Sequence, residues 1–106
     1  MPDAEPLPEI VDQTEAERFV LEADGAVAEL DYELEGDRLI LVHTGVPEEL
    51  GGRGIAGRLV SAGVARARRD HLIIAPWCPY ARRWLTQHPD QVEGITIDWS
   101  EPPARA

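Results

Sequence analysis

Lysine is absent from this 106-residue chain, and cysteine, methionine and phenylalanine each occur once. Without lysine there is no phosphate loop of the G-x-x-x-x-G-K-[ST] kind, whose lysine reaches the β- and γ-phosphates. All ten basic residues are arginine, which reads as a codon preference. A lone Cys78 excludes an intrachain disulfide and a cysteine-rich zinc site. His43, Cys78 and His88 have no tight ligand spacing, so no metal is expected. No apolar run approaches the ~18 residues of a membrane span. The opening MPDAEPLPEI is acidic and proline-rich, without the basic and apolar regions of a signal peptide. A cytoplasmic protein with no membrane partner is expected.

What the chain does have is acid, unevenly placed. The formal net charge is −10, which disfavours general binding to nucleic acid. Residues 1–50 carry fifteen acids against only Arg18 and Arg38. Residues 51–90 reverse the balance, with Arg53, Arg58, Arg66, Arg68, Arg69, Arg82 and Arg83 against Asp70 and Asp90. A basic segment in an acidic protein points to a local anion site, or equally to arginine-rich helices paired with acidic strands.

The length suits one domain with one modest core. Residues 1–16, with Pro2, Pro6 and Pro8, read as a flexible acidic lead-in; residues 17–100 form the domain and 101–106 a tail. RFVLE, AVAELDYEL and RLILVHTGV are three strand-like runs, with Asp24-Gly25 and Gly36-Asp37 as hairpin turns between them. The second run mostly alternates, as a strand with one wet face does, whereas LILV is continuously apolar and fits a strand covered on both faces. A helix is expected over about Gly52–Asp70, then a buried strand LIIAP, then a helix in PYARRWLTQHP opened by Pro79. VEGITIDWS reads as a candidate final strand. The fold class is therefore α/β: an antiparallel β-meander followed by β-loop-α-β-α in one mixed sheet. A right-handed crossover sets LIIAP beside RLILVHTGV.

The informative unit is the apolar strand, glycine loop and helix. Glycines 51, 52, 54 and 57 fall within seven residues. A helix N-terminus presents unpaired N–H groups and partial positive charge, and glycine lets a phosphate approach the backbone. The loop reads as a pyrophosphate cradle; the plain alternative is a turn packed closely on the sheet. The run Gly52-Arg53-Gly54-Ile55-Ala56-Gly57 formally matches G-x-G-x-x-G, but three hairpin strands precede it and no acid ends the next strand, so a dinucleotide fold is rejected.

In this frame Gly51-Gly52-Arg53-Gly54-Ile55-Ala56 resembles the [QR]-x-x-G-x-[GA] motif of the GNAT superfamily of N-acetyltransferases, with Gly51 in place of Gln or Arg. Over about residues 26–90 the chain is similar to the short, single-domain members of that superfamily. The marks are His43-Thr44-x-Val46-Pro47, GIAGRLV, Pro76-x-Cys78-x-Tyr80, Trp84 and His88-Pro89. Members typically read H-T-E-V-P, and here Gly45 stands where that acid would be. The resemblance implies acetyl transfer from acetyl-coenzyme A to an amine, small or on a protein. It assigns Thr44, Gly45, Val46, Gly51, Gly52, Arg53, Gly54, Ile55 and Ala56 to the coenzyme. The pantetheine arm is expected in a splayed gap between RLILVHTGV and LIIAP. A non-catalytic coenzyme A-binding or interaction module is the alternative.

Each candidate side chain has a plainer reading. Cys78 opens a helix, where thiolate is favoured; it accepts an acyl group, lies beside the coenzyme sulfur, or is a small buried apolar residue. Tyr80 protonates the leaving thiolate, as the resemblance implies, or packs with a wet hydroxyl. His43 is a base or a structural histidine. Arg82 and Arg83 reach the 3′-phosphate or adenine, or merely face solvent. His88 is expected to cap or pack its helix, and Trp77 and Trp84 to build core or pocket wall. The acidic half favours a cationic acceptor, although solubility explains it equally well.

Overall fold

The computed structural model describes residues 8–102. The expected lead-in over residues 1–7 and the end of the tail, 103–106, lie outside the described residues. Five strands form one sheet in the order of the chain: β1 (Val11–Gln13), β2 (Arg18–Ala23), β3 (Ala26–Glu35), β4 (Arg38–Gly45) and β5 (Ile73–Pro76). The first four pair antiparallel, and β5 lies parallel to β4, as the crossover rule requires. Helix α1 (Ile55–Asp70) makes that crossover, and α2 (Pro79–Gln87) follows β5 with Pro79 in its first turn. The β2–β3 turn has positive φ at both Asp24 and Gly25, the signature of a two-residue hairpin that follows the sheet's twist.

Both helices lie on one face. Alternation sends Phe19, Leu21, Ala28, Leu30, Tyr32, Leu39 and Leu41 towards them, and these meet Ile55, Leu59 and Val64 of α1 and Trp84 and Leu85 of α2 in one core. Among the described residues no helix covers the other face. Its alternate positions include Arg18, Glu29, Asp31 and Glu33, with Val11 and Val27 exposed. Leu39, Ile40 and Leu41 have no solvent contact, as a strand sealed on both sides requires, but Val42, the last residue of the apolar run, is 36% exposed.

Three expectations are revised. The helix expected from Gly52 begins at Ile55, because Gly52 and Gly54 hold positive φ and Gly54 is the left-handed N-cap. The candidate final strand is reduced to a parallel bridge between Ile74 and Ile97, flanked by Ile74 N–H to Thr96 O at 3.0 Å and Asp98 N–H to Ile74 O at 2.8 Å. And the lead-in contains β1. Local pattern gave no sign of it, because what fixes it is distant in sequence. Tyr32 donates its hydroxyl to Asp12 Oδ1 at 2.5 Å, and Arg66 of α1 reaches Asp12 Oδ2 at 2.6 Å and the Tyr32 hydroxyl at 3.0 Å. Burial works against the Arg66 charge, but its bonds to Asp70 and Tyr32, with Asp12's charge, outweigh that and hold the guanidinium proton tighter than usual. No described helix is long and apolar enough to cross a membrane.

Candidate active site

Strands β4 and β5 stay paired for only four residues each, Arg38–Leu41 against Ile73–Pro76. Pro76 has no N–H to continue the ladder. The N–H groups of Trp77 and Cys78 both turn back to the Leu41 carbonyl, at 3.0 and 2.9 Å, and the chain leaves into α2. From Val42 to Gly45, β4 therefore has a strand neighbour on only one side among the described residues, and its outer edge offers free backbone groups. This is the splayed gap that the resemblance implied.

A β-bulge sits at the mouth of the gap. Tyr32 opposes Leu41 and Asp31 opposes His43, so Val42 is an extra residue. One inserted residue swaps the faces of everything beyond it. Thr44, opposite Leu30, turns to the helix side, where its hydroxyl lies 3.3 Å from the Cys78 sulfur. His43, opposite Asp31, turns to the uncovered side. Cys78 is the N-cap of α2 and only 4% exposed. Its thiol is part of the buried core, beside Thr44 where β4 and α2 part.

The chain then makes a 3₁₀ turn, Glu48–Leu50, plugged into the core by the fully buried Leu50. Gly51 N–H closes that turn on Glu48 O at 3.0 Å, and the glycines carry the chain to α1. No side chain caps α1 and no acid occupies its first turn, so its leading N–H groups remain available. Beside them is an open cavity of about 320 Å³, bounded by Val46, Pro47, the loop glycines, Ile55, Ala56 and Tyr80. Gly57 forms the far wall. A Cβ there would stand 2.8 Å from Trp84 Nε1 and 3.6 Å from the Tyr80 hydroxyl, so α2 leans on α1 only because residue 57 is glycine.

The arginines are distributed differently from expectation. Arg53 pairs with Asp24 at 2.9 Å across the hairpin turn, and Arg58 reaches the Pro8 carbonyl at 3.3 Å. Arg82 donates to the carbonyls of Trp99 and Ser100 at 2.9 and 3.2 Å and lies over the Trp99 ring, tying down the tail. Arg83 is exposed and makes no ion pair among the described residues. His88 binds the Trp84 carbonyl through Nδ1 at 2.8 Å and stacks on the Trp84 ring at 4.1 Å, as a helix-end packing residue does. Trp77 Nε1 is buried without a partner under Arg38.

The structure thus brings Thr44 and Cys78 together where β4 and α2 part, and Val46, Gly51, Gly52, Gly54, Ile55, Ala56 and Tyr80 around the cavity. His43 stands on the other face with Glu29, Asp31 and Arg18. Burial, then the charge of Glu29, pushes the Asp31 carboxyl above the usual range, partly offset by His43 and Arg18. Sequence reading missed Leu50, Gly57 and Glu29. Only Gly57 left a local sign, as the fourth glycine of the cluster.

The family of GCN5-related N-acetyltransferases has a model that matches residues 18–94. Among solved structures, the chain is similar to a GCN5-like protein from Staphylococcus aureus, determined by NMR and proposed to be an N-acetyltransferase. The two are 29% identical and superpose with a TM-score of 0.67, over 87% of this chain and 90% of the other. No curated protein matches the chain.

Proposed function

Because the chain belongs to the family of GCN5-related N-acetyltransferases, we propose that it transfers an acetyl group from acetyl-coenzyme A to an amine at the gap between β4 and α2. The observation that carries this is the sequence of unpaired β4 edge, glycine-lined cavity and uncapped start of α1 along the chain, with Val46 of the cavity wall directly following Gly45 of the free edge. The residues fit an acyl carrier. Bare glycines let a diphosphate reach the N–H groups between Gly52 and Ala56, and the free edge of Val42–Gly45 offers a pantetheine amide a strand-like partner. The carrier supplies the activated acetyl group.

This chain's own residues then handle protons and charge. His43 takes one proton from the acceptor's ammonium, directly or through water, which frees the nitrogen lone pair to form the C–N bond as the C–S bond breaks. A backbone N–H beyond the bulge stabilises charge on the carbonyl oxygen. The nitrogen's second proton passes to the leaving thiolate by way of the Tyr80 hydroxyl, and His43 returns its proton to solvent. Cys78, buried against Thr44, shapes the end of the thioester channel; a covalent role would require it to carry the acetyl group itself. Gly45 and Gly51, where the motif has functional side chains, favour the second reading of a coenzyme A-binding module without turnover.

Calorimetry with coenzyme A and acetyl transfer to a panel of amines separate the two. Binding with turnover is expected, and binding without turnover selects the module. Tyr80→Phe is expected to slow turnover while leaving coenzyme affinity intact. Cys78→Ser tests the covalent role: transfer persisting at wild-type rate removes it. A protein that gives no binding heat at millimolar coenzyme overturns the reading.

A further inference from the structure

Gly45 is a glycine that its backbone does not require. Its φ lies outside the left-handed region, and a Cβ there would make only ordinary contacts. What the missing side chain leaves is a hollow on the uncovered face of the sheet. The nearest atoms to the absent Cβ are His43 Nε2 at 3.5 Å and, from the neighbouring strand, Glu29 Cγ and Oε2 at 3.8 Å each. Glu29 is the direct cross-strand partner of Gly45. An imidazole nitrogen and a carboxylate oxygen from two strands thus converge on one empty point at the end of β4, one residue from Thr44 and Val46.

The carboxylate is held for use. Arg18 binds Glu29 Oε1 at 3.1 Å, which orients the group, and Oε2 has no donor among the described residues. Asp31, paired with both His43 and Arg18 across the strands, adds a second acid at the rim. We propose that Glu29 is the acceptor-binding carboxylate of this chain and holds the primary ammonium group of a cationic substrate over Gly45, where His43 receives its proton. Glu29 supplies from β3 the carboxylate that β4 lacks at position 45. The bulge at Val42 makes this possible, since without it His43 would face the helices. An ammonium has three donors, enough to meet Glu29 Oε2 and His43 Nε2 together. A neutral alcohol of the same size gains neither the charge pairing nor the proton transfer. The inference rests on the acetyl-transfer reading for its chemistry, but the cation site is tested without it.

The experiment uses the full chain, isotopically labelled for NMR, with n-propylammonium and n-butanol as probes, each with and without coenzyme A. The ammonium, and not the alcohol, is expected to move the amide of Gly45 and the ring of His43. Glu29→Gln is expected to weaken that binding by about tenfold, the scale of one charge-assisted hydrogen bond. Adding Gly45→Glu to Glu29→Gln returns a carboxylate to the same space from β4 and is expected to restore it, which a purely structural role for Glu29 does not predict. Should Glu29→Gln not fold, Gly45→Leu fills the hollow with both polar groups intact and is expected to abolish the ammonium shift. Equal effects of alcohol and ammonium, or unchanged affinity in Glu29→Gln, overturn the inference. Coenzyme A is read separately at the amides of Gly52–Ala56. If those stay still while the ammonium moves Gly45, the acetyl-transfer reading falls and the cation site stands.

Discussion

The two halves of β4 differ more than any two strands of the sheet. From Arg38 to Leu41 it is paired on both edges, and Leu39, Ile40 and Leu41 are sealed from solvent. From Val42 to Gly45 one edge is free, the bulge redirects the side chains, and the polar groups of the site appear. A single continuous strand therefore anchors the fold at one end and presents the chemistry at the other, with only the Val42 insertion between them. Precision at the open half is borrowed from the closed half: the Leu41 carbonyl, which receives both Trp77 and Cys78, is the last fixed point before the gap.

The sharpest way to break this division is to truncate on either side of it. Leu41→Ala is expected to cost about 2–5 kcal/mol, as large-to-small changes in sealed cores do. Val42→Ala, at a half-exposed bulge, is expected to cost under about 1 kcal/mol. Guanidinium denaturation of the two variants checks both, and equal losses would refute the division. A second pair compares two glycines. Gly57→Val drives a Cβ into Trp84 and is expected to cost about 1–3 kcal/mol, with weaker coenzyme binding as α2 moves off the cavity. Gly45→Ala makes contacts no closer than 3.5 Å and is expected to leave stability nearly unchanged. Matched denaturation curves for these variants would show that Trp84 relaxes freely and that Gly57 does not set the α1–α2 approach.

Much of this was legible in the sequence. The apolar run, two turn dipeptides, a glycine cluster and two prolines determine the strand order and both helices, because each acts through contacts within a few residues. The gap was expected only from the resemblance; Pro76 and Pro79 by themselves read as the end of a strand and the opening of a helix. What stayed hidden depends on register. His43 and Thr44 are adjacent in sequence, and nothing local says that a bulge one residue earlier sends them to opposite faces. Glu29 looked like one acid among many until its strand was set against Gly45. Arg82 stood open between a phosphate contact and a solvent-facing residue, and its bonds to the tail were invisible because the carbonyls it binds are seventeen and eighteen residues away.

The edge of the sheet offers a weaker test of the same separation. β1 is held by Asp12 through Arg66 and Tyr32, far from the gap. Arg66→Gln leaves Asp12 and the Tyr32 hydroxyl partly unmet and is expected to cost about 1–3 kcal/mol. Hydrogen exchange is expected to speed up at Val11–Gln13 while the amides of Thr44 and Gly52–Ala56 keep their wild-type rates. Faster exchange at the loop would mean that the edge supports the site after all.

The smallest effects concern two aspartates whose protonation responds to the two regions in opposite directions. Bonds from Arg69 and Arg66 hold the Asp70 carboxyl at about 2 in the folded protein, below the unfolded value of about 4. Its contribution to stability is therefore complete above pH 4 and lost as pH falls through about 2. Asp31, raised first by burial and then by Glu29, behaves in reverse: its charge disfavours folding at neutral pH, and the penalty is relieved as acid protonates it. Urea denaturation from pH 7 to pH 2 should find Asp70→Asn less stable than wild type and Asp31→Asn slightly more stable at neutral pH, with both differences shrinking in acid. Charge that strains the fold while serving a cationic substrate belongs at a site, and charge that stabilises it belongs to the scaffold. A destabilising Asp31→Asn would place Asp31 with the scaffold and remove it from the rim of the ammonium hollow.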